Sequence, residues 1–346
     1  MLSKLPSLDH LVDNYIHCLD AEGKSPKTTT WYLANLQRFS HYLKGTGFYR
    51  PVIAIGVDEA RNFIYYLQTE VTRWQGHPTI RDTRTLSPFS IQGYARTIKA
   101  FWSWLLVEGY IDNNPMIRLK LPKTPHKVVA TFAPEQVKRM LARLDRKKTN
   151  GFRDYVMVLV LLDTGVRLTE LVGLQVDDID FGRSCFLVHG KGGHERVVPF
   201  GREVRRVLWR YTSSVRPNSV LSGASQVFLK EDGTALRPRS LQSMLTRLGM
   251  KAGISGVRCS PHTFRHTFAK QYLMEGGDVF TLQSILGHSS LEVVKIYINL
   301  ASGEIAEQHR KFSPVDNMAP SGHRKRGSWN MSSTSQAYQG HYRRWR

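Results

Sequence analysis

Apolar positions along the first hundred residues recur at intervals of three and four, the period of a helix with one buried face. Leu8, Leu11, Val12, Tyr15, Ile16 and Leu19 form the first stripe, with Ser7 placed to cap it and Gly23 to end it. Trp31, Leu36, Phe39 and Leu43 form the second, opened by Ser25-Pro26 and stopped by Gly45 and Gly47. Phe63, Ile64 and Leu67 mark a third, with Asp58 as its expected cap. Ile91, Tyr94, Ile98, Phe101 and Leu105 mark a fourth, opened by Ser87-Pro88 and closed before Gly109. Serine before proline is a strong start signal: the hydroxyl accepts a free amide of the first turn, where proline lacks nothing that is needed. The four stripes predict a small helical bundle over residues 1–112. A polar stretch with Arg73, Arg81 and Arg84 separates its last two helices.

The pattern then changes. Residues 113–126 interleave prolines with Arg118, Lys120 and Lys123, which predicts an extended basic linker. A second domain is expected over 127–313. Thr131, Pro134 and Glu135 signal a helix start, and the apolar run Tyr155–Leu162 predicts a helix over 151–163 buried as the spine of the domain. Cys185 to Val188 and Arg196 to Pro199 read as two short strands around the glycine-rich turn His189-Gly190-Lys191-Gly192-Gly193-His194. Helices with polar breaks follow from Arg202, among them a basic one opening at Arg237 and Arg239. Ser260-Pro261 opens another that Gly276-Gly277 ends, Asp278 caps a short one with Val279, Leu282, Ile285 and Leu286 inward, and Gly287 stops it. A last short helix is expected after Ser290. The class is mainly α with a small β-hairpin or sheet. Residues 314–346 turn to Ser, Gly, Gln and Arg, the make-up of a basic disordered tail.

Composition adds a partner. Lys and Arg number 49 against 28 Asp and Glu, a net charge of +21 with a pI near 10.0. An excess of that size points to a polyanion, most simply nucleic acid. Cys18, Cys185 and Cys259 are too scattered for a zinc site or a disulfide frame, which suits a reducing cytosol. The apolar run Tyr155–Leu162 is far too short to span a bilayer, and the N-terminus carries no signal-peptide pattern.

Candidate chemistry concentrates between residues 261 and 300. His262 falls in the first turn of its helix with Arg265 one turn on, a setting that suits phosphate. His262 and His266 do not read as a metal pair, because HTFRH lacks the Glu of HExxH and puts a cation between them. His288 follows Gly287, and Tyr297 stands nine residues further on. Histidine, arginine, histidine and tyrosine on three short helices can meet on one phosphate.

The stretches HTFRH and LGHSSLEVVKIY resemble the C-terminal signature of the tyrosine recombinases, the phage-integrase and Xer-type family, with H-x-x-R, then LGH, then Tyr nine residues later. Two further motifs of that family have counterparts: Thr164-Gly165-Val166-Arg167-Leu168-Thr169-Glu170, and a Lys on a hairpin, Lys191, 24 residues after Arg167. The resemblance implies an α+β catalytic tyrosine-recombinase domain behind a SAM-like core-binding bundle, the two gripping double-stranded DNA. It implies Arg167, Lys191, His262, Arg265, His288 and Tyr297 as catalytic, Glu170 in support, and no metal or other cofactor. Arg81, Arg84, Lys99, Arg118, Lys120, Arg237 and Arg239 are the expected phosphate contacts, beside Lys27 and Arg96.

The resemblance further implies a cytoplasmic, DNA-associated enzyme that cuts and rejoins strands as a homo-tetramer on two DNA sites. It would integrate or excise a mobile element or resolve DNA, without an arm-site domain. The same residues leave a type IB topoisomerase-like relaxing enzyme, or a DNA binder that does not cut, as other readings.

Overall fold

The computed structural model describes residues 6–48, 51–73, 84–125, 129–190, 193–220 and 225–287. The chain divides into two compact units at Lys127/Val128. It is mainly helical with one small sheet.

The first unit holds α1 (Leu8–Ala21), α2 (Pro26–Gly45), α3 (Val57–Thr69) and α4 (Pro88–Val107). Ser7, Ser25 and Ser87 cap α1, α2 and α4 through their hydroxyls, as their placement before the apolar stripes predicts. The cap of α3 differs from expectation. Gly56 precedes the helix, its amide donating to Glu59 Oε2 at 2.8 Å, while Asp58 lies inside the first turn. A glutamate at the third helical position reaches back to the free amide, so the aspartate is not needed as the cap. Leu11, Leu36, Phe39, Phe63, Phe101 and Trp102 form the centre of the bundle, all fully or almost fully buried. Inside it the Asn35 amide donates to Thr97 Oγ1 at 3.0 Å, satisfying a buried polar pair.

The linker is not extended throughout. Pro115–Arg118 form a 3₁₀ turn, and Met116 and Leu119 are buried in the core of the bundle. Lys99 holds this turn: its ammonium donates to the carbonyls of Met116, Ile117 and Leu119 at 2.7, 3.2 and 3.0 Å. An ammonium has three donors, so Lys99 spends them on the linker, which corrects its assignment to phosphate. Lys27, Arg96, Arg118 and Lys120 are exposed. Arg84 is exposed too, and Arg81 lies outside the described residues.

The second unit builds around α6 (Thr149–Thr164), whose Val156, Met157, Val158, Val160 and Leu161 are fully buried. Before it comes α5 (Pro134–Ala142), started by Ala133 rather than Thr131: the Ala133 amide donates to the Gln136 side chain at 2.9 Å. After α6 come α7 (Leu168–Gly173) and an antiparallel sheet of β1 (Ile179–Asp180), β2 (Cys185–His189) and β3 (Glu195–Pro199), in that order. The hairpin register pairs His189 with Glu195 and Cys185 with Pro199. The two-residue strand β1 carries too little pattern to be visible in the sequence. Then follow α8 (Arg202–Arg210), running into a π-helical turn Tyr211–Val215, and α9 (Pro238–Lys251), α10 (Pro261–Met274) and α11 (Val279–Leu286). Ser260 caps α10 and Asp278 caps α11, and α10 packs along α6. Arg237, the residue before α9, and Arg239 are exposed. Among the described residues no helix is long and apolar enough to cross a membrane.

Candidate active site

Two left-handed glycines shape the site. Gly165 ends α6 at φ +60°, and its carbonyl accepts from Arg265 Nη1 at 2.8 Å. A Cβ there would lie 2.5 Å from the Phe268 ring and 2.9 Å from Leu286. The glycine therefore allows α6 to end directly against α10 and α11. Gly165→Ala combines left-handed strain with overpacking, and is expected to lower stability by about 2–5 kcal/mol. A denaturant midpoint equal to that of the parent would refute this account of the corner. The second glycine, Gly287 at φ +63°, ends α11.

Arg167 caps α7 immediately after this corner, and Glu170 closes a capping box onto its amide at 2.7 Å. Arg167 Nη1 donates to Glu170 Oε1 at 2.8 Å. Arg196 on β3 reaches the same carboxylate with a two-pronged grip, Nη1 to Oε1 at 2.9 Å and Nη2 to Oε2 at 2.8 Å. Each Glu170 oxygen thus accepts two bonds, which uses the full capacity of a carboxylate. Burial raises the Glu170 pKa, but the bonds from Arg196 and Arg167 outweigh it and bring the carboxyl down to about 2. Glu170 is an anion at any working pH.

Three arginines converge on the end of α11. Arg196 Nε donates to the Ile285 carbonyl at 2.8 Å, Arg265 Nη2 to Leu286 at 2.6 Å, and Arg167 Nη2 to Gly287 at 3.0 Å. Carbonyls of the last helical turn have no partner within the helix and carry its negative pole. Three consecutive ones here each take a guanidinium from a different element. Gly287 is also the residue before His288 in the chain. Arg265 is buried, whereas the Arg167 side chain is 40% exposed and can meet a ligand. His262, one turn before Arg265 on α10, is exposed.

Of the residues singled out in the sequence, the fold brings together Arg167, Glu170 and Arg265. Lys191, His288 and Tyr297 lie outside the described residues. The hairpin that leads to Lys191 is closed by the Gly190 amide on the His194 carbonyl at 2.7 Å. Sequence reasoning missed Arg196. Its signal was the alternation of β3, in which Arg196 shares the inward face with buried Val198. A cation on an inward face needs an anion, and Glu170 supplies it. Two other candidate nucleophiles sit elsewhere. Tyr272 packs against Phe268 at a centroid distance of 5.6 Å, near the C-terminal end of α10. Cys259 is buried and its thiol is pushed up to about 11 by that burial. Among the described residues no group of His, Cys, Asp and Glu is arranged to hold a metal ion.

Residues 130–304 match the phage integrase family. The chain is 29% identical over 314 residues to tyrosine recombinase XerC of Oceanobacillus iheyensis, covering 90% of this chain and 98% of that protein. With tyrosine recombinase XerD of Staphylococcus aureus it shares 31% over 226 residues, 65% of this chain and 76% of that one. Among solved structures, the Tn1549 transposon integrase in complex with transposon right end DNA superposes with a TM-score of 0.67 at 19% identity, over 89% of this chain and all of that one, a likeness of fold. With the family match spanning the second unit from before α5 to beyond α11, and with the XerC relative aligned along 90% of the chain, the protein belongs to the phage integrase family of tyrosine recombinases.

Proposed function

We propose that this protein, a tyrosine recombinase that breaks and rejoins DNA, acts at specific double-stranded sites with Tyr297 as its nucleophile. The observation that carries the reading is the convergence of Arg167 and Arg265 on the carbonyl end of α11, directly before His288 and the nine-residue run to Tyr297. The Tn1549 integrase was solved with DNA, and the net charge of +21 here suits the same kind of partner.

The reaction is a transesterification. The Tyr297 hydroxyl oxygen attacks the scissile phosphorus, the bond to the 5′-oxygen breaks, and a 3′-phosphotyrosyl linkage forms. His262 takes the tyrosine proton and Lys191 gives one to the departing 5′-oxygen, which leaves as a hydroxyl. Arg167 and Arg265 hold the non-bridging oxygens and offset the charge that builds on the pentavalent phosphorus, with a further hydrogen bond from His288. Glu170 keeps Arg167 aimed. A 5′-hydroxyl from a second strand reverses the steps. Bond energy is kept in the phosphotyrosyl ester, so rejoining needs no energy source. Exchange of both strands of two duplexes takes one tyrosine per strand, hence a homo-tetramer on two sites.

The test is capture of the protein on genomic DNA as a protease-resistant phosphotyrosyl adduct, followed by sequencing of the attached ends. The captured site, placed on two plasmids, is expected to support exchange between them. Plasmid relaxation without exchange would indicate a topoisomerase-like enzyme, and DNA binding without an adduct a non-cleaving protein. Adduct formation is also expected to continue undiminished in EDTA and without ATP. Activity lost in chelator and restored by magnesium or zinc would overturn the scheme.

A further inference from the structure

We infer that Arg196 is a positioning residue for strand cleavage: it fastens Glu170 to the carbonyl end of α11 and so sets the place of Arg167 and of the chain entering His288. This deepens the recombinase reading and rests on it. Three observations carry it.

The first is connectivity. Arg196 bonds to both Glu170 and α11, with two N–H groups on the carboxylate and Nε on the Ile285 carbonyl. Arg167 repeats the pattern from the other side, touching Glu170 and Gly287. Two guanidiniums and one carboxylate thus form a closed frame around the helix end. The second is close packing. A Cβ on Gly287 would lie 2.9 Å from Arg196 Cδ, 3.0 Å from Nε and 3.2 Å from Cζ, so the glycine backbone rests directly on the guanidinium. The third is burial. The Arg196 side chain is 13% exposed and that of Glu170 4%, against 40% for Arg167. Arg196 is therefore the shielded half of the frame and Arg167 the half open to a phosphate. All three nitrogens of the Arg196 guanidinium are taken up by Glu170 and the Ile285 carbonyl, so its part is to fix the carboxylate that holds Arg167 and the helix end that Arg167 also touches.

A planar fork makes these bonds together, and an ammonium cannot reproduce that geometry. Arg196→Lys is therefore expected to keep the charge and lose the function. Single-turnover adduct formation on prebound DNA should fall about 100-fold, the scale of a misplacement near 1 Å, with DNA affinity unchanged within about threefold. Glu170→Gln should fall similarly. The double variant should be no slower than the slower single one, because both act through one frame. Losses that multiply in the double variant, or a Lys variant as fast as the parent, would overturn the inference.

A second measurement does not depend on activity. Amide hydrogen exchange in Arg196→Lys should speed up about tenfold or more over residues 282–287, while α6 and the bundle of the first unit keep the protection of the parent. Unchanged exchange at the end of α11 would refute the fastening role whatever the kinetics show. Failure of the parent to form any adduct would sink the recombinase reading itself, and the exchange result would still decide the role of Arg196.

Discussion

Tyr297→Phe binds DNA as the parent does and forms no covalent adduct with it. This is the largest effect expected of any single substitution, because it removes one oxygen and with it the whole reaction. Phenylalanine removes only the hydroxyl, so affinity, which for a basic DNA-binding protein comes mainly from cations on phosphates, stays within about twofold. In the proposed scheme the hydroxyl oxygen of Tyr297 is the attacking atom. Tyr272, the nearest alternative in sequence, packs its ring against Phe268 beside the Gly276-Gly277 turn. A Cβ on Gly277 would lie 2.2 Å from the Tyr272 ring, so that ring is seated on backbone. The check is denaturing electrophoresis of the protein with labelled DNA after heating in detergent. An adduct retained by the Phe variant would assign the nucleophile elsewhere.

Lys191→Ala slows cleavage of ordinary DNA by about two orders of magnitude or more, the worth of a general acid, and a 5′-bridging sulfur restores it. A thiolate departs without a proton, so the modified substrate has no need of the lysine. Arg167→Ala is also slow, and sulfur does not restore it, because its task is charge on the non-bridging oxygens. The structure sharpens the second half. Arg167 is tied to Glu170 and to Gly287, and that anchorage aims its exposed guanidinium rather than following the leaving group. Its loss also takes from Glu170 one of the two guanidiniums that hold it, leaving the grip of Arg196. Measured as single-turnover rates on the two substrates, equal rescue of both variants, or of neither, would falsify this division of labour.

Much of the architecture was legible in the residues. Serine caps before proline place the starts of α2, α4 and α10, and the apolar run Tyr155–Leu162 places the buried spine α6. These are local signals: a cap or a stripe acts within one or two turns. The misplaced features depend on partners distant in sequence. The 3₁₀ turn at Pro115–Arg118 exists because Lys99 and the bundle core receive it, and a proline-rich basic segment alone reads as extended. For the same reason Lys99 looked like a phosphate ligand: a lysine on a polar face does not show which carbonyls stand in front of it.

Of the site, the sequence by itself determined which chemical groups exist and at what spacing: Arg167 and Glu170 one turn apart, His262 and Arg265 one turn apart, His288 and Tyr297 nine residues apart. For the first two pairs a separation of three residues is one helical turn, so their closeness needs no knowledge of the fold. Only the tertiary structure decided that Arg167, Arg196 and Arg265 each reach a successive carbonyl of one helix end. Arg265 and Gly165 are 100 residues apart, and Arg167 and Gly287 are 120. Contacts across such distances follow from how α6, α10, α11 and β3 pack, and packing depends on the shape of every buried side chain at once. That is why Arg196, one more cation in a basic chain, is revealed as a structural partner of Glu170 only when the strand and the helix stand side by side.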